Sequence, residues 1–247
     1  MSYEPFTLKA KLLRGVSIEP YGLDLAGILA SRYWRKRKAA ILEENLPNYV
    51  DSMKNQPEDF DLPLDMCSEG EDWHWMATCA IYEKEDRFPQ SETMYYKVVN
   101  DAWAGRAANR PLPYYNTKSG AYRDVMGSAR IMLTGEVKWY GVGDPEAIWN
   151  LIKDIRCIGK RRSKGEGRVI KWEIETGQAI DDKWQWGHCG PDDKIHRPIP
   201  VECAHRLGLD FTLDWFAIRP PSWNPDRLYE LAVHKDREVY FPEEWEL

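Results

Sequence analysis

The feature that most constrains the fold is a helix, a basic loop and a strand that follow one another between residues 144 and 175. Asp144 and Pro145 form a strong helix start, because an aspartate caps exposed amides and proline suits the first helical turn. Apolar residues then recur at helical spacing, which predicts packing on a sheet: Ile148, Leu151, Ile152 and Ile155. Gly159 is expected to close this helix. Ile170, Trp172 and Ile174 predict the inward face of a last strand.

The loop at 158–168 combines three glycines with five cations in a chain of formal net charge −6. Glycine lets the backbone turn tightly and approach a ligand closely. A local basic patch on an acidic protein predicts a polyanion site, and a solvated surface turn is the alternative. The loop lacks GxxxxGK[ST] and follows a helix, so a nucleotide-binding P-loop is disfavoured.

The remaining pattern predicts an α+β fold. Residues 6–13 alternate as a strand, a helix starts at Asp24, a second strand begins at Trp75, and another runs from Ile131 to about residue 140. This order gives a ferredoxin-like βαββαβ domain, with helices on one sheet face and the other face open. We predict this domain over residues 1–175 and an irregular Trp/Pro-rich extension over 176–247 with one helix near 225–234.

Three further stretches carry charge or rings. Five cations lie between residues 32 and 38, where a solvated face and an RNA or partner contact are both open. Residues 43–72 are acidic with Lys54 as the one cation, which predicts a connector. Residues 84–129 mix cations with aromatics, as a flexible RNA-tracking arm or a subunit interface would.

Cysteine and histidine usage bears on metal and location. The five cysteines are scattered without a CxxC, which predicts reduced thiols in a cytoplasmic protein. No apolar run could span a bilayer, and the start lacks a secretion signal. A zinc site in the tail is the alternative to loop histidines and buried thiols, but its spacing fits no closed Cys/His module, so we expect no metal and no other cofactor. The residues of that alternative are His188, Cys189, His196, Cys203 and His205.

Two segments resemble a known family. LKAKLLRGVSIEPYGLDLAGILA at 8–30 looks like the N-terminal signature of the RAMP superfamily of CRISPR-associated proteins. IGKRRSKGEGRV at 158–169 resembles that superfamily's glycine-rich loop. Length, insertion and tail look most like the third subunit of type IV CRISPR effector complexes, a counterpart of the fifth Cas family.

The resemblance implies a guide-RNA-binding subunit that caps the 5′ repeat-derived handle. It would contact the backbone subunit through a thumb at roughly 84–129 and sit near the large subunit that meets target DNA. The implied RNA contacts are Gly159, Lys160, Arg161, Arg162, Ser163, Lys164, Gly165, Gly167 and Arg168 in the loop, with Arg87, Lys118 and Arg123 in the insertion.

No catalytic residue is expected. Metal-free RNA cleavage needs a general base and a group that stabilises the phosphorane. The first helix has no histidine, although Tyr33, Lys36 and Lys160 could act in principle. A metal-independent endoribonuclease is therefore the alternative to a binding subunit, and a protein-interaction scaffold is the second alternative.

Overall fold

The structure is a computed structural model that describes residues 3–17, 21–43, 59–67, 73–82, 90–97, 125–160, 162, 165–177, 183–222 and 224–235. Within these ranges the chain is a mixed α/β protein with antiparallel sheets. Its strands are β1 (Glu4–Leu12), β2 (Met66–Cys67), β3 (His74–Trp75), β4 (Gln90–Lys97), β5 (Val125–Met132), β6 (Glu136–Gly143), β7 (Val169–Thr176), β8 (Phe211–Ala217) and β9 (Leu228–His234). Its helices are α1 (Leu25–Glu43), α2 (Pro145–Ile152), α3 (Lys183–His188) and α4 (Val201–Leu207).

The central sheet has the order β6-β1-β7, with both pairings antiparallel. The predicted alternation of β1 is confirmed, because Phe6, Leu8, Ala10 and Leu12 all lie in the main core. That core also contains Leu25 and Leu29 of α1, and Ile148 and Ile152 of α2. Both helices therefore cover one face of this sheet.

Helix α2 starts where the sequence predicts but ends earlier. The Asp144 side chain accepts a hydrogen bond from the Ala147 amide at 3.0 Å. The helix ends at Ile152, so the prediction that Gly159 closes it is wrong. The reason is that Cys157 forms a β-bridge with Arg168 and needs an extended backbone. Gly159, with φ of 79°, serves the bend of the loop instead.

The predicted last strand is confirmed, with one difference at its start. Trp172 is buried, whereas Ile170 is 64% exposed. The pairing of β1 with β7 shifts register between Lys11 and Leu12, so the sequence alternation breaks there. A bulge of this kind turns an apolar residue outward.

Two other predicted strands are divided. The strand predicted from Ile131 to residue 140 is two strands, because the Thr134 hydroxyl bonds the Glu136 carbonyl at 2.7 Å and closes a turn. The strand predicted from Trp75 is regular only over β3, and beyond it isolated bridges join Ala77 and Ile81 to the outer edge of β6. Ladder pairing is interrupted there because Cys79 donates its amide to the tail carbonyl of His196 at 3.0 Å.

Part of the insertion forms a two-stranded antiparallel ribbon of β4 and β5. Residues 98–124 lie outside the described residues, as do Arg87, Lys118 and Arg123. The sequence-predicted RNA contacts of the insertion therefore remain predictions.

The second face of the central sheet is partly covered, which corrects the prediction of an open face. The Trp186 indole of α3 donates to the Phe6 carbonyl at 2.7 Å, and its ring meets that of Tyr140 at 4.7 Å. A second core forms on this side, where the tail residues Ile199 and Cys203 pack with Val142 of β6. The other end of the face carries ion pairs of Lys9 with Glu175, and of Lys11 and Lys171 with Glu173.

The tail is also more regular than predicted, because it contains two short helices and the β8–β9 hairpin. The helix predicted near 225–234 is wrong. Asn224 caps only one 3-10 turn, and Leu228–His234 then pairs with β8. Leu231, Ala232 and Val233 are consecutive and buried, as in a strand covered on both sides.

Arg197 fastens the tail to the rest of the molecule. It is only 3% exposed, and its guanidinium donates to the carbonyls of Trp75, Ala77 and Ile218. Burial raises the pKa of the nearby Asp24 carboxyl, while the charge of Arg197 opposes that rise. Among the helices in the described part of the chain, none is both long and apolar enough to cross a membrane.

Candidate nucleic-acid interface

The glycine-rich loop is fixed at both ends. Ile158 donates its amide to the Gly167 carbonyl at 2.9 Å, which closes the neck of the loop. The Lys160 amide donates to the Ser17 carbonyl at 2.9 Å, and the Gly167 amide donates to the Gly15 carbonyl at 3.0 Å. The segment after β1 therefore holds the loop in place, and these contacts join the two segments that carry the family resemblance.

The glycines are required by geometry. Gly159, Gly165 and Gly167 have φ of 79°, 89° and 64°. A Cβ on Gly167 would lie 2.0 Å from the Ile158 carbonyl oxygen, so the neck excludes any side chain there. A Cβ on Gly165 would meet no described atom within 4 Å, so at this position only the positive φ favours glycine.

Three of the predicted loop cations are described, and all three are exposed: Lys160, Arg162 and Arg168. Arg161, Ser163 and Lys164 lie outside the described residues. A tightly held backbone thus carries several outward cations, which is an arrangement suited to phosphate oxygens.

A cleft of about 910 Å³ lies beside this loop. One wall is α1 from Gly27 to Arg35, a second is the stretch from Asp154 to Gly159 with Arg162, and a third is the tail from Phe216 to Ser222. The cleft therefore joins three sequence features that lie far apart along the chain: the start of the basic run, the glycine-rich loop and the Trp/Pro-rich tail.

The cleft is basic and contains aromatic rings. Among the described residues, three aspartates line it, Asp24, Asp59 and Asp154, against six arginines, Arg32, Arg35, Arg156, Arg162, Arg197 and Arg219. Tyr21, Trp34, Phe60 and Phe216 also line it. Single-stranded nucleic acid is bound by this combination, in which cations meet phosphates and rings stack with bases.

Besides Arg197, two of these arginines are positioned by hydrogen bonds to backbone carbonyls. Arg32 donates from Nε to the Leu151 carbonyl at 3.0 Å, which ties α1 to α2. Arg219 lies 4.4 Å from the centre of the Trp73 ring and donates to the Trp73 carbonyl at 3.1 Å. The sequence analysis missed Arg219 and the tail wall, because only the folded chain brings them to the loop.

The structure separates the five tail residues of the alternative zinc site. His196 bonds Asp192 at 2.7 Å, and His205 is exposed and packs against Phe211. Burial, with nearby carboxylates, raises the pKa of the Cys189 thiol to about 12. His188 and Cys203 instead lie together with Cys67 and His74 in a buried cluster.

Two groups with acid–base chemistry, His74 and Tyr33, have fully or partly buried side chains. His74 is fully buried. Partial burial, with the Asp61 carboxylate and Tyr3, raises the pKa of the Tyr33 hydroxyl, so this group stays protonated. A protonated phenol is a weak candidate for the general base.

Comparisons with known proteins identify the family. Seven solved chains match, and one of them belongs to the cryo-EM structure of the Type III-B Cmr-beta bound to cognate target RNA. The match has 14% identity and a TM-score of 0.31 and covers 70% of this chain, which spans 61% of that chain's length. A score this low does not establish a shared fold. No curated protein matches. A family model described as "CRISPR type IV associated protein Csf3" matches residues 4–233, nearly the whole chain, and the protein therefore belongs to the Csf3 family of type IV CRISPR-associated proteins.

Proposed function

We propose that this protein is the guide-RNA-binding subunit of a type IV CRISPR ribonucleoprotein effector complex and caps the 5′ repeat-derived handle. The observation that carries the proposal is the basic, ring-lined cleft beside the glycine-rich loop. Membership in a type IV CRISPR-associated family supports the assignment to such a complex.

The handle would follow the cleft with its phosphates near the loop. Lys160, Arg162 and Arg168 supply exposed cations there. Trp34 and Phe216 offer rings on the two other walls. Handles are irregular single strands, whose bases are free to stack on such rings.

We also propose the finer fold and organisation that this role implies. The order β6-β1-β7, with bridges from Ala77 and Ile81 to β6, supports a ferredoxin-like sheet whose fourth strand is irregular. The tail at 176–247 would form a separate unit built onto the domain at 1–175. The β4–β5 ribbon would be the stem of a thumb at 84–129 that contacts the backbone subunit, and the large subunit and target DNA would lie nearby. We place the protein in the cytoplasm, in line with five cysteines that form no disulfide in the described part of the chain.

The proposed role is binding without cleavage. The burial of His74 and the raised pKa of Tyr33 support it. Incubation of the purified protein with repeat RNA in EDTA tests the endoribonuclease alternative. Discrete cuts that depend on Tyr33, Lys36 or Lys160 would replace the binding proposal with an enzymatic one.

Filter retention with a repeat-derived RNA oligonucleotide tests the loop. The triple variant K160Q/R162Q/R168Q removes three exposed loop cations. If each makes one phosphate contact, the slope of log K against log salt falls by about 2, at about 0.7 per contact for a single strand.

A matched control removes the same charge elsewhere. Lys171, Lys194 and Arg206 are exposed and are not among the residues that line the cleft. We expect K171Q/K194Q/R206Q to keep the wild-type slope. Equal losses in both variants would mean nonspecific attraction. RNA binding that is undetectable in wild type would favour the scaffold alternative.

A further inference from the structure

Four side chains with metal-binding atoms converge in the second core, from four different elements. Cys67 lies on β2, His74 on β3, His188 at the end of α3 and Cys203 on α4. One ligand atom of each lies within 4.8 Å of all the others. Cys67 is 2% exposed and the other three are fully buried.

The distances suit a small tetrahedral ion. Zn–S bonds of about 2.3 Å and Zn–N bonds of about 2.0 Å imply sulfur–sulfur and nitrogen–nitrogen separations of about 3.8 and 3.3 Å. The two Sγ atoms are 3.9 Å apart, and the two Nε2 atoms are 2.8 Å apart. An ion therefore requires the imidazoles to separate by only about 0.5 Å, which small side-chain rotations supply.

Local structure explains how each ligand reaches this point. Cys67 and His74 are direct partners in the antiparallel pairing of β2 with β3, so their side chains share a face. His188 is the last residue of α3, which packs on β6 and β1. Cys203 lies in the first turn of α4, after Pro200. Two ligands thus come from the antiparallel pair β2–β3, and two come from the tail.

We propose that Cys67, His74, His188 and Cys203 bind a structural zinc ion. Two thiolates and two imidazoles form a borderline-soft donor set that favours zinc over calcium or magnesium. Four protein ligands complete a tetrahedron, so no position is left for water or substrate, and the site is structural. Binding releases the two thiol protons, and occupancy is therefore lost at low pH.

The surroundings favour a closed site of this kind. Met76, Val142 and Ile199 belong to the same buried cluster as the two cysteines. An apolar shell excludes water from the ligands and strengthens their bonds to the ion. The ion would link the β2–β3 pair to α3 and α4, and so hold the tail against the second face of the sheet.

Two arrangements without metal compete with this proposal. Cys67 and Cys203 could form a disulfide, which requires a sulfur–sulfur distance of about 2.05 Å. The four groups could also remain as thiols and hydrogen-bonded neutral imidazoles. The measurements below separate all three.

Metal analysis of the purified full-length chain gives the first test, and we expect one zinc per chain. Replacing zinc with Co²⁺ should give the intense visible bands of a tetrahedral site together with a thiolate charge-transfer band. The variants C203S and H74A should lose stoichiometric metal. C189S is the matched control, because Cys189 is also buried and adjoins His188 in the chain but lies outside the cluster.

The wild-type Co²⁺ spectrum keeps the test decisive if the ligand variants fail to fold. A wild-type chain that contains no zinc as purified and gives no tetrahedral Co²⁺ spectrum overturns the proposal. So does a disulfide joining Cys67 to Cys203, found by mass spectrometry without reduction. Loss of metal from C189S equal to that from C203S would refute the ligand assignment.

Discussion

Replacing the buried Arg197 with leucine should destabilise the protein strongly. The guanidinium bonds the Ala77 carbonyl at 2.9 Å and the Ile218 carbonyl at 2.9 Å, and it also donates to Trp75. It therefore joins the irregular segment beside β6 to the tail at two different points. Leucine fills much of the same volume but offers none of these donors.

The size of the effect follows from these bonds. Hydrogen bonds that involve a charged group contribute about 1.5–3 kcal/mol each. Leucine does not carry the desolvation cost of a buried guanidinium, which offsets part of the loss. We therefore expect R197L to lower the free energy of unfolding by about 3–5 kcal/mol, the range for removing one partner of a buried pair. A loss of about 4 kcal/mol lowers Tm by roughly 8–16 °C for a chain of this size.

Urea unfolding followed by tryptophan fluorescence measures this loss. R197K keeps the charge but cannot reach three carbonyls with one planar group, so we expect an intermediate stability. R206L is the control, because Arg206 is exposed on α4 and should cost no more than about 0.5 kcal/mol. A loss below about 1 kcal/mol in R197L would refute the view that Arg197 fastens the tail.

Two further predictions concern the loop and the thiols. G167A should destabilise the protein more than G165A. Both positions need a left-handed backbone, which costs about 1–2 kcal/mol, but only at position 167 would the added Cβ lie 2.0 Å from the Ile158 carbonyl oxygen. Equal losses in thermal melts would mean that the neck is not tight. Iodoacetamide at pH 8 should label the half-buried Cys157 and spare Cys189, whose pKa of about 12 leaves about one thiol in ten thousand ionised. Mass spectrometry after a short pulse measures both, and rapid labelling of Cys189 would contradict its burial.

Local patterns in the sequence predicted the elements whose signals are local. Asp144 and Pro145 start a helix from their own chemistry, and alternation over residues 6–13 suffices for a strand with one buried face. Asn224 and Pro225 carry a comparable start signal but cap only a single 3-10 turn. Pairing with β8 takes the next residues into β9, and no local pattern reveals that competition.

The candidate sites were harder to predict from the sequence than these elements, because they depend on long-range packing. The glycine-rich loop was visible in the sequence because its glycines and cations are contiguous. Its partners in the cleft, such as Phe216 and Arg219, follow the end of the loop by 48 and 51 residues and reach it only through the folding of the tail. The buried Cys/His cluster was not predictable from the tail alone for the same reason, because β2 and β3 supply Cys67 and His74.

The position of β1 at the centre of the sheet has a consequence for synthesis. Its two partner strands are β6 and β7, which end at Gly143 and Thr176. At about 5–20 residues per second, a ribosome needs roughly 8–33 s to add the 164 residues between the end of β1 and the end of β7. Both edges of β1 stay unpaired until β6 is made, and the edge that pairs with β7 stays unpaired for the whole interval; unpaired strand edges are a known route to aggregation. Production of soluble protein should therefore depend on chaperones and on slow, cool expression.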